Sequence, residues 1–186
     1  MIDFNLNSLI LVTGAARSGK SEWAENLAYK TNLPVIYIAT AQIYPDDHKW
    51  QERIEKHRQR RPKNWQTLEI PYKLGGSILE VEKNHCILID SLGTWVANYL
   101  EENDIIWQET QENLLNSLKK SSNHIILVAE ETGWGVIPSF ASGRLFRDRL
   151  GYLIRSIGAI ANIMYLVIGG YAIDIKDIGI SVNNDQ

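Results

Sequence analysis

Residues 9–28 read LILVTGAARSGKSEWAENLA, and this stretch decides the fold. An apolar run comes first, then two glycines with four residues between them, then a segment with apolar side chains at helical spacing. Gly14 to Ser21 fit the pattern GxxxxGK[ST] between a buried strand and a helix, which is the context in which that pattern binds nucleotide phosphates. The stretch therefore predicts a phosphate-binding loop.

The residues of this loop have separate predicted roles. Gly14 and Gly19 allow the tight wrapping that turns backbone N–H groups toward phosphate oxygens. Lys20 is expected to reach the β- and γ-phosphates, and the Ser21 hydroxyl to hold Mg²⁺. The positive end of the following helix favours an anion at the same place. The predicted nucleotide-binding residues of the loop are Gly14, Ala15, Ala16, Arg17, Ser18, Gly19, Lys20 and Ser21.

The rest of the chain alternates between buried strands and helices. The apolar runs lack polar alternation, as expected of strands covered on both faces, and the segments between them show helical periodicity. Such alternation predicts an α/β fold with a mostly parallel central sheet. The predicted strands are 9–12, 35–39, 86–89, 125–129 and 163–168, and the predicted helices are 21–29, 104–120 and one from about Ser142, which is expected to be its N-cap.

Length and composition narrow the class of protein. The 186 residues are expected to form one domain, 1–186, with a frayed tail at 181–186. A net charge of −3 offers no general attraction for nucleic acid, so no nucleic-acid partner is expected. No signal core or membrane span is predicted, and Cys86, the single cysteine, is expected to be a buried structural side chain. We expect a cytoplasmic protein.

Asp90 closes another buried strand, in the run Ile87-Leu88-Ile89-Asp90. An acidic residue in that position of a phosphate-loop protein usually joins the metal shell, so Asp90 is a candidate Mg²⁺ ligand beside Ser21. The alternative is a helix cap for the segment that follows, a role for which Ser91 competes.

A basic segment lies between Asp46 and Lys63. It carries seven Lys or Arg and four Asp or Glu, a local balance of +3. It is either a solvated charged helix or a cationic arm that covers a bound triphosphate, and spacing alone leaves both open. His57 lies among arginines that disfavour its cationic form, and a neutral imidazole can act as a nucleophile toward phosphorus.

Several segments in this order resemble one family, the bifunctional adenosylcobinamide kinase and adenosylcobinamide-phosphate guanylyltransferase of cobalamin synthesis. Glu130 stands where that family commonly has Asn. The segments that carry the resemblance are LVTGAARSGKSEWAE (11–25), YIATAQ (37–42), RIEKHRQRRPKNWQTLE (53–69), ILIDSLGTWVANYL (87–100), and ETGWGVIP (131–138) followed by GRLFRDRLG (143–151).

The resemblance implies a P-loop NTPase fold of the RecA-like three-layer kind and two reactions. A nucleoside triphosphate, ATP or GTP, phosphorylates the aminopropanol hydroxyl of adenosylcobinamide, and GMP from GTP then passes through a guanylylated histidine to that phosphate. The histidine of the family's HRxxRP motif corresponds to His57, with Arg58 and Arg61 offsetting phosphoryl charge. Lys20 joins His57 as a catalytic candidate.

The resemblance also implies further contacts and an assembly. Arg144, Arg147 and Asp148 are candidates for the corrinoid or, alternatively, a surface ion-pair cluster. Relatives that assemble as trimers imply a homo-oligomer, specifically a homotrimer, and the six Trp of the chain give modest support. The further candidates for nucleotide contacts are Thr40, Ala41, Gln42, Glu69 and Asp90, so nucleoside recognition by Asp90 rivals metal binding.

Two other functions fit parts of the pattern. A P-loop kinase for another small metabolite needs the loop and leaves His57 without a role. A RecA-like, NTP-driven regulator would use the basic segment as a nucleic-acid contact, and the acidic overall charge weighs against it.

Overall fold

The computed structural model describes residues 7–42 and 46–182, without the side chains of Trp50, Arg53, Lys56, His57 and Arg60. A seven-stranded sheet has the order β3-β2-β4-β5-β1-β6-β7, and every described pairing except β6 with β7 is parallel. The strands are β1 (Leu9–Gly14), β2 (Val35–Ala39), β3 (Gln66–Glu69), β4 (Cys86–Asp90), β5 (His124–Glu130), β6 (Ile163–Ile168) and β7 (Tyr171–Asp174). The helices are α1 (Lys20–Lys30), α2 (His48–Arg60), α3 (Leu74–Glu80), α4 (Leu92–Ala97), α5 (Asp104–Lys120), α6 (Ala141–Ile160) and α7 (Ile175–Ile178).

The predicted α/β class with a mostly parallel sheet is confirmed, because the apolar runs do form the central strands. β1, β4 and β5 have buried side chains along almost their whole length, since helices cover both faces of the sheet. Three of these strands extend past the predicted ends, to Gly14, Asp90 and Glu130. The polar ends of the strands therefore meet at one edge of the sheet.

The helices agree with the helical periodicity, with one correction. α5 spans the predicted residues, and Asn103 caps it by accepting a hydrogen bond from the Ile106 N–H. The prediction that Ser142 caps the third helix is wrong. α6 begins at Ala141, and the Arg144 N–H already donates to the Phe140 carbonyl, so Ser142 lies inside the first turn and cannot cap it.

The antiparallel strand β7 was not predicted, although the sequence carries a signal for it. Gly169 and Gly170 lie between two apolar runs, and both adopt positive φ angles, 57° and 82°. Two residues with positive φ make the turn that joins antiparallel strands, and glycine adopts it without strain. The short elements β3, α3 and α4 were also missed.

The expectation for Cys86 is confirmed. Its side chain is buried in the cluster that includes Val35, Tyr37 and Leu88. Burial raises the pKa of the Cys86 thiol to about 12, although a hydrogen bond with Thr31 lowers it somewhat. The thiol therefore stays protonated at neutral pH. Among the described residues, no helix is long and apolar enough to cross a bilayer.

A buried arginine, Arg149 of α6, holds the connection between α4 and α5. It is 5% exposed, and its guanidinium donates to the Tyr99 carbonyl at 2.7 Å and the Glu102 carbonyl at 2.8 Å. A third bond reaches the Asp104 carboxylate at 3.0 Å, and Trp107 lies 5.3 Å below the cation. This role of Arg149 was not predicted from the sequence.

Replacement of Arg149 by Ala is expected to lower the free energy of unfolding by about 3 kcal/mol, because the buried Tyr99 carbonyl and the partly buried Glu102 carbonyl lose a charged donor. Arg147→Ala is the matched control. Arg147 pairs with Asp148 at 3.3 Å near the surface, and its loss should cost less than about 1 kcal/mol. Urea unfolding of both variants measures the difference, and equal losses would contradict the anchoring role.

Candidate nucleotide-binding site

The glycine-rich loop has the conformation that its sequence predicts. Gly19 adopts a φ of 97°, and a Cβ on Gly14 would collide with the Val167 carbonyl oxygen and lie 2.8 Å from Ser18 Oγ. Lys20 is buried and its ammonium donates to the Ala15 carbonyl at 3.3 Å. The loop therefore wraps back on the start of α1, with its lysine directed across it.

Two buried hydroxyls at this loop, those of Thr13 and Ser18, have no hydrogen-bond partner among the described residues. Ser18 is only 9% exposed. Buried polar groups are normally paired, and an anion or water at the loop would supply the missing acceptor. Ala15, Ala16 and Arg17 are exposed, so their backbone is open to a ligand.

Beside the loop lies a pocket at the carboxyl ends of the strands. Parallel sheets bind ligands at this edge, where the helices that follow begin. β5 lies between β1 and β4, so the ends of all three strands meet there. The described residues that line the pocket are Lys20, Ser21, Tyr37, Ala39, Ala41, Ile54, Arg61, Asp90, Ser91, Thr94 and Glu130.

Asp90 lies in this pocket and is held by a tyrosine. The Tyr37 hydroxyl donates to Asp90 Oδ2 at 2.9 Å. Burial and the neighbouring carboxylate raise the pKa of Tyr37, so the phenol stays a donor. The helix cap belongs to Ser91, whose hydroxyl accepts from the Thr94 N–H at the start of α4. The alternative role of Asp90 as a cap is therefore excluded.

Arg61 reaches the same pocket from the end of the basic segment. Its guanidinium carbon lies 3.5 Å from the centre of the Tyr37 ring, in cation–π geometry. Its Nε is buried without a hydrogen-bond partner among the described residues, while another nitrogen lies 3.5 Å from Thr67 Oγ1. Tyr37 thus contacts Asp90 through its hydroxyl and Arg61 through its ring.

A second, open cleft of about 1040 Å³ adjoins the pocket between α2 and β3. Arg58 and Glu69 line it, and Ile54 and Arg61 line both the cleft and the pocket. A volume of this size holds a nucleoside. The predicted candidates Arg58, Arg61 and Glu69 are therefore brought together by the fold.

His57 lies on α2, and its side chain is outside the part of the chain that the structure describes. The basic segment, for which the sequence left a charged helix and a cationic arm open, is helical over His48–Arg60. Position 57 falls between Ile54 and Arg61 along the chain, and both of these contact the pocket. The catalytic role of His57 stays a prediction.

The remaining candidates have different surroundings. Ala41 lines the pocket. Thr40 is buried and donates to the Ser91 carbonyl at 2.6 Å, so its side chain joins the ends of β2 and β4. Gln42 donates a hydrogen bond to the Tyr72 hydroxyl.

The three candidates on α6 make protein contacts near the surface. Arg147 pairs with Asp148 at 3.3 Å, and Arg144 donates to the Pro138 and Ser139 carbonyls. These contacts favour the alternative that the three residues form a surface cluster.

Glu130 is a pocket residue that the sequence analysis did not select. Its Oε1 accepts from the Ser91 hydroxyl at 2.6 Å, and its Oε2 from the Gly93 N–H at 3.0 Å. A Cβ on Gly93 would collide with this carboxylate. The sequence signal was available, because Glu130 is the polar residue that ends a buried strand, as Asp90 is.

Comparison with protein families gives a match over most of the chain. The profile of the cobinamide kinase / cobinamide phosphate guanyltransferase family matches residues 10–175. The bifunctional adenosylcobalamin biosynthesis protein CobP of Pseudomonas aeruginosa is 39% identical, over 89% of this chain and 96% of the relative. The protein of the same description named CobU in Escherichia coli is 36% identical, over 90% of this chain and 99% of the relative.

Solved structures show the same fold at low sequence identity. A protein of Pyrococcus horikoshii OT3 superposes with a TM-score of 0.58 at 8% identity, over 96% of this chain and 90% of that chain. An ATPase from the type III secretion system of pathogenic bacteria superposes with a TM-score of 0.58 at 10% identity, over 95% of this chain and 60% of that chain. The predicted P-loop NTPase fold is confirmed.

Tyr37→Phe is expected to lower the free energy of unfolding by about 1 kcal/mol, because Asp90 loses a hydrogen-bond donor while the ring below Arg61 is kept. Tyr29, which is 71% exposed, provides the control in Tyr29→Phe. Chemical denaturation compares the two. If both variants are as stable as the wild type, the hydrogen bond from the Tyr37 hydroxyl to Asp90 does not stabilise the fold.

Proposed function

The chain belongs to the cobinamide kinase / cobinamide phosphate guanyltransferase family, and on this premise we propose that it catalyses both reactions in sequence. It phosphorylates adenosylcobinamide with a nucleoside triphosphate, then transfers GMP from GTP through a guanylylated His57 to give adenosylcobinamide-GDP. The observation that supports this most is the junction of the two binding spaces. The pocket with Lys20 and Asp90 and the cleft beside Arg58 share Ile54 and Arg61.

The phosphate loop supports the kinase step. Lys20 exchanges its bond with the Ala15 carbonyl for the β- and γ-phosphates, and the backbone N–H groups of the loop bind the same oxygens. The unpaired Ser18 and Thr13 hydroxyls become satisfied in the nucleotide complex. These groups hold the triphosphate in one position and stabilise charge as it moves to the leaving oxygen.

The pocket also has the donor set that Mg²⁺ prefers. Ser21 offers a hydroxyl and Asp90 a carboxylate, both oxygen donors at the lining of one pocket. Ser21 and Asp90 would hold Mg²⁺ there, and the ion would supply positive charge to offset that of the phosphates. Tyr37 holds Asp90 Oδ2, which fixes the direction of the carboxylate. This arrangement favours the metal role of Asp90 over nucleoside recognition.

The guanylyl transfer uses the junction between pocket and cleft. With the β- and γ-phosphates at the loop and the guanosine in the cleft, the α-phosphorus lies next to α2. A neutral nitrogen of His57 attacks it, an N–P bond forms, and the bond from the α-phosphorus to the β-phosphate oxygen breaks, releasing pyrophosphate. An oxygen of cobinamide phosphate then attacks the same phosphorus, and the N–P bond breaks.

Arginines at the junction favour this chemistry. Arg61 is held over Tyr37 and its Nε has no protein acceptor among the described residues, so it is available to a phosphoryl oxygen. Arg58 lines the adjoining cleft. Guanidinium groups bind phosphoryl oxygens with two parallel hydrogen bonds, which offsets the charge that develops during transfer.

The corrinoid needs an apolar surface near the pocket. Immediately after Glu130, the loop of residues 131–140 exposes Trp134, Val136, Ile137 and Phe140. Exposed apolar patches commonly mark binding surfaces. We place the corrinoid against this loop, so that its aminopropanol arm reaches the pocket.

We also propose a homotrimer in the cytoplasm. Apolar side chains at the C-terminal part of the chain, Tyr171, Ile178 and Ile180, are exposed. Surfaces of this kind favour association.

His57→Ala is expected to abolish covalent labelling of the protein by α-³²P-GTP, because no other group replaces the imidazole as nucleophile. The label on the wild type should be acid-labile and base-stable, as expected of a phosphorus–nitrogen bond. Lys20→Ala should lower labelling by about 100-fold or more, since the leaving pyrophosphate loses its main cation. Gel autoradiography measures both.

The control is His48→Ala, because His48 is an exposed histidine on the same helix. The His48→Ala variant should take up the α-³²P-GTP label to the same extent as the wild type. If His57→Ala keeps its label, the proposed nucleophile is wrong. If the wild type takes no label but phosphorylates a metabolite, the chain is a P-loop kinase only.

A further inference from the structure

We propose that Glu130 receives the attacking hydroxyl of the substrate in the kinase step, first as a hydrogen-bond acceptor and then as its proton acceptor. This inference rests on the proposed function, because it assigns a residue to the first of the two reactions. Neither the glycine-rich loop nor the histidine on α2 supplies such a group.

The sheet places Glu130, at the end of β5, between the phosphate loop that follows β1 and Asp90 at the end of β4. β5 pairs with β1 on one side and with β4 on the other, and Glu130 is in register with Gly14 of the phosphate loop. The following N–H, of Glu131, donates to the Gly14 carbonyl at 2.9 Å. Glu130 therefore lies beside the loop and lines the same pocket as Lys20 and Asp90.

The carboxylate is fixed in direction and still has acceptor capacity. Ser91 Oγ binds one oxygen at 2.6 Å and the Gly93 N–H binds the other at 3.0 Å. A carboxylate has about four lone-pair sites, so about two remain. A carboxylate held in this way is already oriented to accept a hydroxyl proton, so little conformational entropy is lost when the substrate binds.

The charge of Glu130 also calls for a chemical explanation. Its two described partners are neutral, a hydroxyl and an amide. A second carboxylate beside Asp90 opposes the binding of a triphosphate by like charge, and a neutral side chain would hold Ser91 and Gly93 without that penalty. A negative group at this point is useful for a reaction that releases a proton there.

The neighbouring carboxylates are less suited. Asp90 Oδ2 is engaged by the Tyr37 hydroxyl, and Asp90 shares with Ser21 the donor set for Mg²⁺. Glu131 Oε1 accepts from the Gly133 N–H at 3.2 Å, and the residue is outside the described lining of the pocket. Glu130 is the carboxylate that both lines the pocket and is turned by two donors.

Phosphoryl transfer to the aminopropanol hydroxyl is a displacement at the γ-phosphorus. The oxygen of the aminopropanol hydroxyl attacks the γ-phosphorus and a new O–P bond forms. The bond between the γ-phosphorus and the β–γ bridging oxygen breaks, and its electron pair leaves with the nucleoside diphosphate. The hydroxyl proton passes to a carboxylate oxygen of Glu130 and then to solvent.

Glu130→Gln tests the proposal, because Gln keeps the size and can still accept from the Gly93 N–H and donate to Ser91. With ATP and adenosylcobinamide, the kinase kcat is expected to fall on the order of 100-fold, with KM for adenosylcobinamide nearly unchanged. At saturating GTP, labelling of His57 by α-³²P-GTP should not fall, since that attack uses a neutral imidazole.

Glu112→Gln, an exposed change on α5, is the control and should leave both reactions unchanged. Glu130→Asp keeps a carboxylate and should retain more kinase activity than Glu130→Gln. A wild-type kinase kcat in Glu130→Gln would overturn the proposal, and so would an equal loss of kinase activity and labelling. A wild type without kinase activity would instead refute the proposed function.

Discussion

The whole site depends on how closely the turn after β1 approaches its neighbours. Gly14 leaves no room for a Cβ, because the Val167 carbonyl of the adjacent strand and the Ser18 hydroxyl occupy that space. The tight turn directs the start of α1 back over the end of the sheet and buries Lys20 there. A larger residue at position 14 would separate β1 from β6 and move the lysine away from the pocket.

The fold was predictable from the sequence because its signals are local. The strands over Val35–Ala39 and Ile163–Ile168 agree with the apolar runs, and α5 agrees with helical spacing between acidic and basic ends. The short strands β3 and β7 were missed because each is only four residues long and its polar and apolar residues alternate weakly in sequence. Ser142 was wrongly predicted to be the cap because serine favours that position, but it lies two residues after Phe140, which is the N-cap.

The site was predictable only in part, because its contacts join residues distant in sequence. The phosphate-binding role of Gly14–Ser21 was predictable from the motif, and the candidate role of Asp90 from its position at the end of a buried strand. The contact of Tyr37 with both Arg61 and Asp90, and the bonds of Glu130 to Ser91 and Gly93, depend on which strands are neighbours. Glu130 looked like a departure from a family that commonly has Asn, and only the pairing of β5 with β1 places it at the phosphate loop.

The burial of β1, β4 and β5 on both faces has a consequence for how this protein changes over evolutionary time. Substitutions inside these strands disturb packing on two sides, so selection removes most of them. Exposed side chains in the loop that follows β5, such as Val136 and Ile137, contribute little to that packing and tolerate substitution. New substrate preferences can therefore arise at the rim while the interior, and with it the ability to fold, is inherited unchanged.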